Sequence, residues 1–173
     1  MKRKKIVFPV FLVTILIIVG GCTQIEQDEN EDTSTINSID ATINIYRTEG
    51  GLRIKAREYG AAGEEWRLDE IKGNNTYIYN NQEMALYLND SERDGWQKIT
   101  GSYVNNIGYQ NYGKFVDIAW TAAANNGLGT YNATYNQQIE VKITINKINP
   151  TFSDEIFKPP KGVEIEEITV NAQ

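Results

Sequence analysis

Cys22 carries the one thiol of this sequence, and its surroundings indicate what that thiol does. It is the only cysteine, and it closes the run Val19-Gly20-Gly21-Cys22. Four basic residues stand at positions 2–5, and an uncharged stretch follows from Ile6 to Gly21. A basic start, an apolar middle and a small-residue end are typical of an export signal.

The end of this segment resembles a lipobox, the site at which lipoprotein signal peptides are cut before a cysteine that receives a lipid. The resemblance implies that Cys22 is lipidated and attaches the chain to a cell membrane or outer envelope, facing outside the cytoplasm. An uncleaved anchor is the alternative, because the uncharged run continues to Ile25 and is long enough to span a bilayer. Pro9 and the abrupt small-residue end argue against that alternative.

Carboxylates are the other groups whose spacing indicates chemistry. Glu64, Glu65, Asp69 and Glu70 lie on or beside one predicted strand, and paired carboxylates hydrolyse glycosidic bonds. Arg67 lies among them, however, and mixed charges are typical of an ordinary solvent-facing strand. The sequence has no histidine, no glycine-rich phosphate loop and no Cys/His metal spacing. We therefore predict no enzymatic activity, no metal and no cofactor.

Composition limits the partners of the chain. The formal net charge is −6, and it becomes about −10 when the four basic residues of the amino-terminal segment are removed. An acidic surface repels nucleic acid, so we predict no nucleic-acid partner. Nothing in the sequence specifies a protein partner.

The chain divides into three predicted parts: a signal peptide at residues 1–21, an acidic disordered tether at 22–38, and a β domain at 39–173. The tether has too little apolar content to fold alone. Weak calcium binding by its acidic cluster is the alternative to a solvated spacer. The spacer is favoured, because the glycine turn and distal glutamate of an EF-hand loop are missing.

Apolar and polar residues alternate in short runs from Ile39 onward, which predicts strands with one buried face. Five such runs, separated by glycine and asparagine turn signals, predict an antiparallel meander. A later run from Ile139 to Ile145 predicts the clearest strand, and a last strand is expected near Val163 to Val170. The predicted buried face comprises Leu52, Ile54, Trp66, Leu68, Met84, Leu86, Ile139, Val141, Ile143 and Ile145.

One segment follows a helical period instead. Phe115, Ile118, Ala119 and Ala122 fall at i, i+3, i+4 and i+7, which places them on one face of a helix. The alanines favour helix, and an Asn-Asn-Gly sequence supplies a stop. We predict a helix from Tyr112 to Asn125, with a strand pair as the alternative.

Two stretches carry a family resemblance: "IYRTEGGLRIKAREYG" at the start of the meander, and the closing pattern Asp-x-x-Phe-x-x-Pro-x-Gly from Asp154 to Gly162. From Ile39 to Ile168 the chain resembles the outer-membrane lipoprotein-sorting superfamily, the LolA/LolB-like proteins. The resemblance implies an α+β, mainly β fold: a curved antiparallel sheet, or incomplete half-barrel, with one helix as a lid. It also implies a hydrophobic ligand or lipid acyl chain on the concave face. The cavity candidates are Leu52, Ile54, Trp66, Leu68, Met84, Leu86, Phe115, Ile118, Ile143 and Phe157.

The closing pattern also has a physical interpretation. Phe157 is a buried anchor, Pro159 and Pro160 stiffen the chain, and Gly162 permits a turn. The pattern then either closes one end of an apolar cavity or acts as a sheet-edge latch. We predict that Phe157 packs near the apolar stripe of the helix.

A second function class competes with ligand carriage. Eight tyrosines accompany asparagine-rich loops, and such residues suit protein or glycan binding on an exposed face, although tyrosines more often pack a sheet. They are Tyr77, Tyr79, Tyr87, Tyr103, Tyr109, Tyr112, Tyr131 and Tyr135. Glycosylation sequons occur at Asn74, Asn89 and Asn132. An apolar hollow between sheet and helix would favour the ligand carrier, and a filled core would favour the interaction module.

Overall fold

The computed structural model describes residues 35–46, 50–91, 95–102, 104–135 and 139–171. The predicted signal peptide, Cys22 and nearly all of the predicted tether lie outside these ranges. The final tether residues belong to the folded unit, because Asn149 receives a hydrogen bond from the Asn37 amide at 2.7 Å and Ile36 packs against the core.

The described residues form nine strands: β1 (Ser38–Ile45), β2 (Gly51–Arg57), β3 (Glu65–Glu70), β4 (Thr76–Asn80), β5 (Ala85–Asn89), β6 (Trp96–Thr100), β7 (Gly129–Tyr135), β8 (Ile139–Ile148) and β9 (Ile165–Thr169). Between β6 and β7 lie a short helix α1 (Val104–Gly108), a π-helical turn (Tyr109–Gly113) and helix α2 (Lys114–Asn126). A 3₁₀ turn (Asp154–Phe157) precedes β9. These helices are too short and too polar to cross a lipid bilayer.

The strands join in one open sheet with the order β7-β8-β1-β2-β3-β4-β5-β6-β9. The mainly β character and the five-strand meander β1–β5 confirm the predictions. Pairing is antiparallel except between β6 and β9, which run parallel. The predicted all-antiparallel sheet is therefore corrected at this edge, because the chain crosses from β8 to the far side of the sheet before β9. Strands β6 and β7 were not predicted.

One face of the sheet, here called the helix face, packs against α2. Alternation directs Ile54, Trp66 and Leu68 to this face, and none of the three is exposed to solvent. Burial of apolar area stabilises this layer at roughly 25 cal/mol per Å². The core therefore lies between the sheet and the helices.

Helix α2 confirms the predicted helix, but the residues that it buries against the sheet differ in part from the predicted set. It ends at Gly127, which has a φ of 75° and donates its amide to the Ala123 carbonyl at 2.9 Å. The buried residues are Val116, Ala119, Ala122 and Ala123. Phe115 and Ile118, predicted with Ala119 and Ala122 for this face, pack against the core but are only half-buried. Small residues occupy the centre because the helix lies close to the sheet.

Two residues predicted for the buried face are exposed. Met84 is 48% exposed and Ile139 is 40% exposed, whereas the other eight are buried. Met84 lies in the β4–β5 turn with a φ of 48°. The alternation of buried and exposed residues in β5 therefore begins after Met84 and does not include it. Ile139 is the first residue of β8, where the sheet is not covered.

The opposite face, here called the outer face, has its own apolar cluster over β4, β5 and β6. Ile78, Ala85, Tyr87 and Trp96 meet Phe157 there, and all five are buried. Residues 152–163, here called the covering segment, supply the other side chains of this cluster. Phe157 therefore packs on the face away from α2. The prediction that it lies near the helix is wrong, because the segment crosses the outer side of the sheet.

Candidate functional site

The predicted cavity residues lie in four different places. Six of them meet in one buried cluster on the helix face: Leu52, Ile54, Trp66, Leu68, Leu86 and Ile143. Phe115 and Ile118 lie at the margin of that cluster. Met84 is in an exposed turn, and Phe157 is on the outer face.

Aromatic packing fills the middle of the helix face. The rings of Trp66 and Tyr79 stack with their centroids 5.3 Å apart. Gly108, at the end of α1, lies directly over this pair, since a Cβ added there would be 3.4 Å from Cδ2 of Tyr79. The helical segment at Gly108 therefore packs on the two rings at ordinary van der Waals distance.

Trp66 has one unusual feature. Its buried indole Nε1–H finds no hydrogen-bond partner among the described residues. Leaving a buried donor unpaired costs about 1–3 kcal/mol. The π-helical turn that follows Gly108 adds a second irregularity in the covering helices, and such turns are frequent at functional sites.

A cleft of about 200 Å³ opens near one end of the helix face, lined by Ile45, Gly50, Gly51, Leu52, Glu70, Lys72 and Gly73. Tyr77 donates a hydrogen bond to Glu70 Oε1 at 3.1 Å and stacks on Tyr112 with centroids 4.1 Å apart. Burial, reinforced by the Glu70 charge, raises the pKa of Tyr77 far above its usual value. The cleft is smaller than the roughly 300–1,000 Å³ typical of ligand pockets.

An ion-pair network fixes the covering segment on the outer face. Arg57 donates from Nε to Glu65 at 2.6 Å and from Nη1 to Asp154 at 2.8 Å. Its guanidinium carbon lies 4.8 Å from the ring centroid of Phe157. Asn80 donates to the second oxygen of Glu65 at 2.6 Å. The buried Glu65 carboxylate is thus satisfied by two partners, as burial of a charge requires.

A second set of polar contacts extends this network. Arg67 donates to Asp69 at 2.8–2.9 Å and to the Ile156 carbonyl at 3.2 Å, and Thr76 also donates to Asp69 at 2.8 Å. Burial alone would raise the pKa of Asp69, but the hydrogen bonds from Arg67 and Thr76 lower it overall. The closing pattern therefore works as a latch across the outer face.

The carboxylates considered for hydrolysis are dispersed. Glu65 and Asp69 project from the outer face of β3 into separate hydrogen-bonded sets. Glu64 immediately precedes β3, and Glu70 is its last residue. Glu64 lies near Tyr79, and burial of the tyrosine, together with the charge of Glu64, raises the pKa of Tyr79 to about 12. Each carboxylate thus has its own structural contacts, and the four do not converge on one cleft.

The outer sides of β7, β8, β1 and β2 form a polar surface, here called the polar platform. Its side chains are Thr130, Asn132, Thr134, Glu140, Lys142, Thr144, Asn146, Asp40, Thr42, Asn44, Arg53 and Lys55. The hydroxyls of Thr130 and Thr144 lie 3.1 Å apart. Asn146 donates to Asp40 at 2.9 Å and to Thr42 at 3.1 Å. These bonds order hydroxyl and amide groups. In the sequence, these groups are the polar residues that alternate with the buried apolar ones along each strand.

Of the eight predicted tyrosines, the five whose side chains are described do not form an exposed binding face. Tyr79 and Tyr87 are buried. Tyr77, Tyr112 and Tyr131 are half-buried against the core. The side chains of the other three predicted tyrosines lie outside the described residues. Most described tyrosines therefore pack the sheet, whereas threonine and asparagine predominate on the polar platform.

The three sequons differ in accessibility. Asn132 is exposed on β7, and Asn74 is exposed in the β3–β4 turn. Asn89 is half-buried in β5. The first two therefore present their amide groups to solvent.

No protein-family profile matches this chain, and no curated protein is recognisably similar to it. Among the described side chains, no three of the acidic, histidine or cysteine type are grouped as metal ligands.

Proposed function

We propose that this chain is a non-enzymatic binding module of the cell envelope, held outside the cytoplasm by a lipid on Cys22. Its β domain binds a protein or a glycan through the polar platform. The observation that carries the proposal is the contrast between two faces: the described apolar residues of the helix face pack in one buried cluster, and the outer surface of β7, β8, β1 and β2 presents hydrogen-bonded polar groups.

Packing supports a surface-binding role over ligand enclosure. Trp66, Tyr79 and Leu68 are at most 1% exposed beneath the helices. An acyl chain needs a continuous apolar hollow, and the cleft of about 200 Å³ that the described residues form near Leu52 is too small and too polar to supply one. The polar platform, by contrast, presents pre-ordered groups on a rigid sheet, which lowers the entropy lost on binding.

Crosslinking tests the platform. A photoreactive amino acid at Thr144, on the platform, should crosslink to one discrete envelope component in cells. The matched control is Asn125, an exposed residue near the end of α2. Products that are equal from both positions, or absent from Thr144, would refute the platform as the binding surface.

A hydrophobic-ligand carrier of the LolA/LolB type is the second candidate. The unpaired Trp66 Nε1–H favours it, because a ligand acceptor atom would satisfy this donor. In this alternative, α1, the π-helical turn and α2 form a lid that lifts from an incomplete half-barrel.

Native mass spectrometry of the full chain and its Trp66→Phe variant separates the two candidates. If the chain is a binding module, it carries no lipid beyond its covalent anchor, and the variant loses only part of the stability that a smaller buried ring would cost, because an unpaired donor is removed as well. For the carrier, a noncovalent lipid accompanies the native chain and is reduced in the variant.

The anchor has its own test. Replacing Cys22 with Ser should leave an unprocessed precursor or release the chain from its lipid anchor. A Cys22→Ser chain that matures and partitions with membranes as the native chain does would contradict lipidation.

A further inference from the structure

The two edges of the sheet differ in charge. Strand β9 forms one edge and carries Glu166 and Glu167, and a third glutamate, Glu164, immediately precedes the strand. Strand β7 forms the other edge, and Gly129–Tyr135 contains no charged residue and no proline. Proteins commonly protect edge strands with charges or prolines, because unpaired backbone groups template pairing with another strand. The described β7 lacks both forms of protection.

The sequence of β7 is nearly symmetric about Asn132, since it reads Thr130-Tyr131-Asn132-Ala133-Thr134. Two antiparallel copies centred on Asn132 would place each Thr130 opposite Thr134 of the second copy. The same register would place Tyr131 opposite Ala133, a large residue against a small one. Threonine pairs stabilise neighbouring strands, and Thr130 already makes such a pair with β8.

An exposed apolar side chain precedes this edge strand. Leu128, immediately before β7, is 53% exposed. A strand added along β7 would reduce the solvent contact of Leu128, which favours association. The uncharged edge also brings no like charges together, although the chain as a whole has a net charge of −6.

We propose that a second copy of this chain pairs edge to edge with β7 in a two-fold symmetric dimer. The neutral, nearly palindromic strand is complementary to itself, whereas the glutamates of β9 would repel their own copies. The dimer continues the sheet across the two-fold axis and joins the two polar platforms into one surface.

Sedimentation equilibrium of the full chain in detergent tests the dimer. The native protein should have the mass of two chains, and Asn132→Lys should reduce it to one by placing two like charges at the axis. Asn44→Lys is the matched control, because Asn44 is exposed on the same surface but in an interior strand. This control should remain dimeric. A monomeric native chain, or a dimer that persists in Asn132→Lys, would overturn the proposal.

Cysteine crosslinking tests the register. In the proposed pairing, residue 132 faces itself with Cβ atoms about 4.5–5.5 Å apart, close enough for a disulfide after small adjustments. Asn132→Cys should therefore give a covalent dimer on mild oxidation, whereas Asn44→Cys should not. Equal crosslinking of both variants, or none in Asn132→Cys, would refute the register centred on Asn132.

Discussion

The helix face and the outer face of the sheet are held against their coverings in different ways. On the helix face, Trp66 and Tyr79 pack beneath α1 and α2 in a layer that is almost wholly apolar. On the outer face, the covering segment is held by Phe157 together with ion pairs from Arg57. The first contact depends on shape and volume, and the second also depends on charge.

The difference can be traced to the strands themselves. In β2 and β3, apolar residues alternate with charged ones, so each strand has one buried apolar face. In β4 and β5, three successive residues are apolar or aromatic: Tyr77-Ile78-Tyr79 and Ala85-Leu86-Tyr87. Such continuous runs indicate burial on both faces. The covering segment provides the second burial surface.

The largest effect is expected at the centre of the helix face. Trp66→Ala should lower the free energy of unfolding by about 3–5 kcal/mol, because it removes a fully buried ring and leaves a cavity. Denaturant titration measures the change. Trp120→Ala, which removes a half-buried ring packed against Tyr59 in a tilted pair, should cost less. Equal losses would contradict the central position of Trp66.

The next effect is expected beneath the covering segment. Phe157→Ala should cost about 3 kcal/mol, near the lower end for a buried aromatic, because the segment can partly close the space. It should also make residues 152–163 more sensitive to proteolysis. Phe152→Ala removes the half-buried ring that meets Phe157 edge-on, and it should have a smaller effect. Unchanged protease resistance in Phe157→Ala would argue against the latch.

The ion pairs should contribute less than the aromatic anchor. Arg57→Ala should cost about 2 kcal/mol, because it leaves the buried Glu65 carboxylate with Asn80 as its remaining described side-chain partner. Arg53→Ala, on the same face of the same strand but exposed, should stay within about 0.5 kcal/mol of the native protein. Thermal unfolding of both variants makes the comparison, and equal destabilisation would mean that the network adds nothing.

The smallest effect is expected from pH. The pKa of Asp69 is lowered from its usual 3.8, so its stabilising contribution is present above pH 3.8 and is lost as the pH falls through the lower folded value. Asp69→Asn should cost about 1 kcal/mol at pH 7. The difference from the native protein should shrink below pH 3.8. A constant difference across this range would exclude an electrostatic contribution from Asp69.

Local patterns predicted most of the sheet because strands and turns are local features. The meander, the strand beginning at Ile139 and helix α2 follow from periods of two and 3.6 residues. Strand β7 alternates Tyr131, Ala133 and Tyr135 with polar residues, but this pattern is too weakly apolar to predict a strand. Strand β6 was hidden by its short, mixed sequence.

The positions of the candidate site residues were less predictable. Six cavity candidates do meet, because residues of one strand phase share a face. The face on which Phe157 lies depends on where the chain crosses the sheet after β8, and no local pattern encodes that path. The Arg57–Asp154 pair likewise joins residues 97 positions apart.

The central position of β1 in the sheet also affects the order in which its two strand pairings can form. One side of β1 pairs with β2, its immediate successor, but the other side waits for β8, since Ile43 pairs with Ile143 a hundred residues later. Because synthesis begins at the amino terminus, the β1–β2 hairpin exists with an open apolar edge until almost the whole domain has been made. Such non-local closure slows folding and exposes the edge to aggregation.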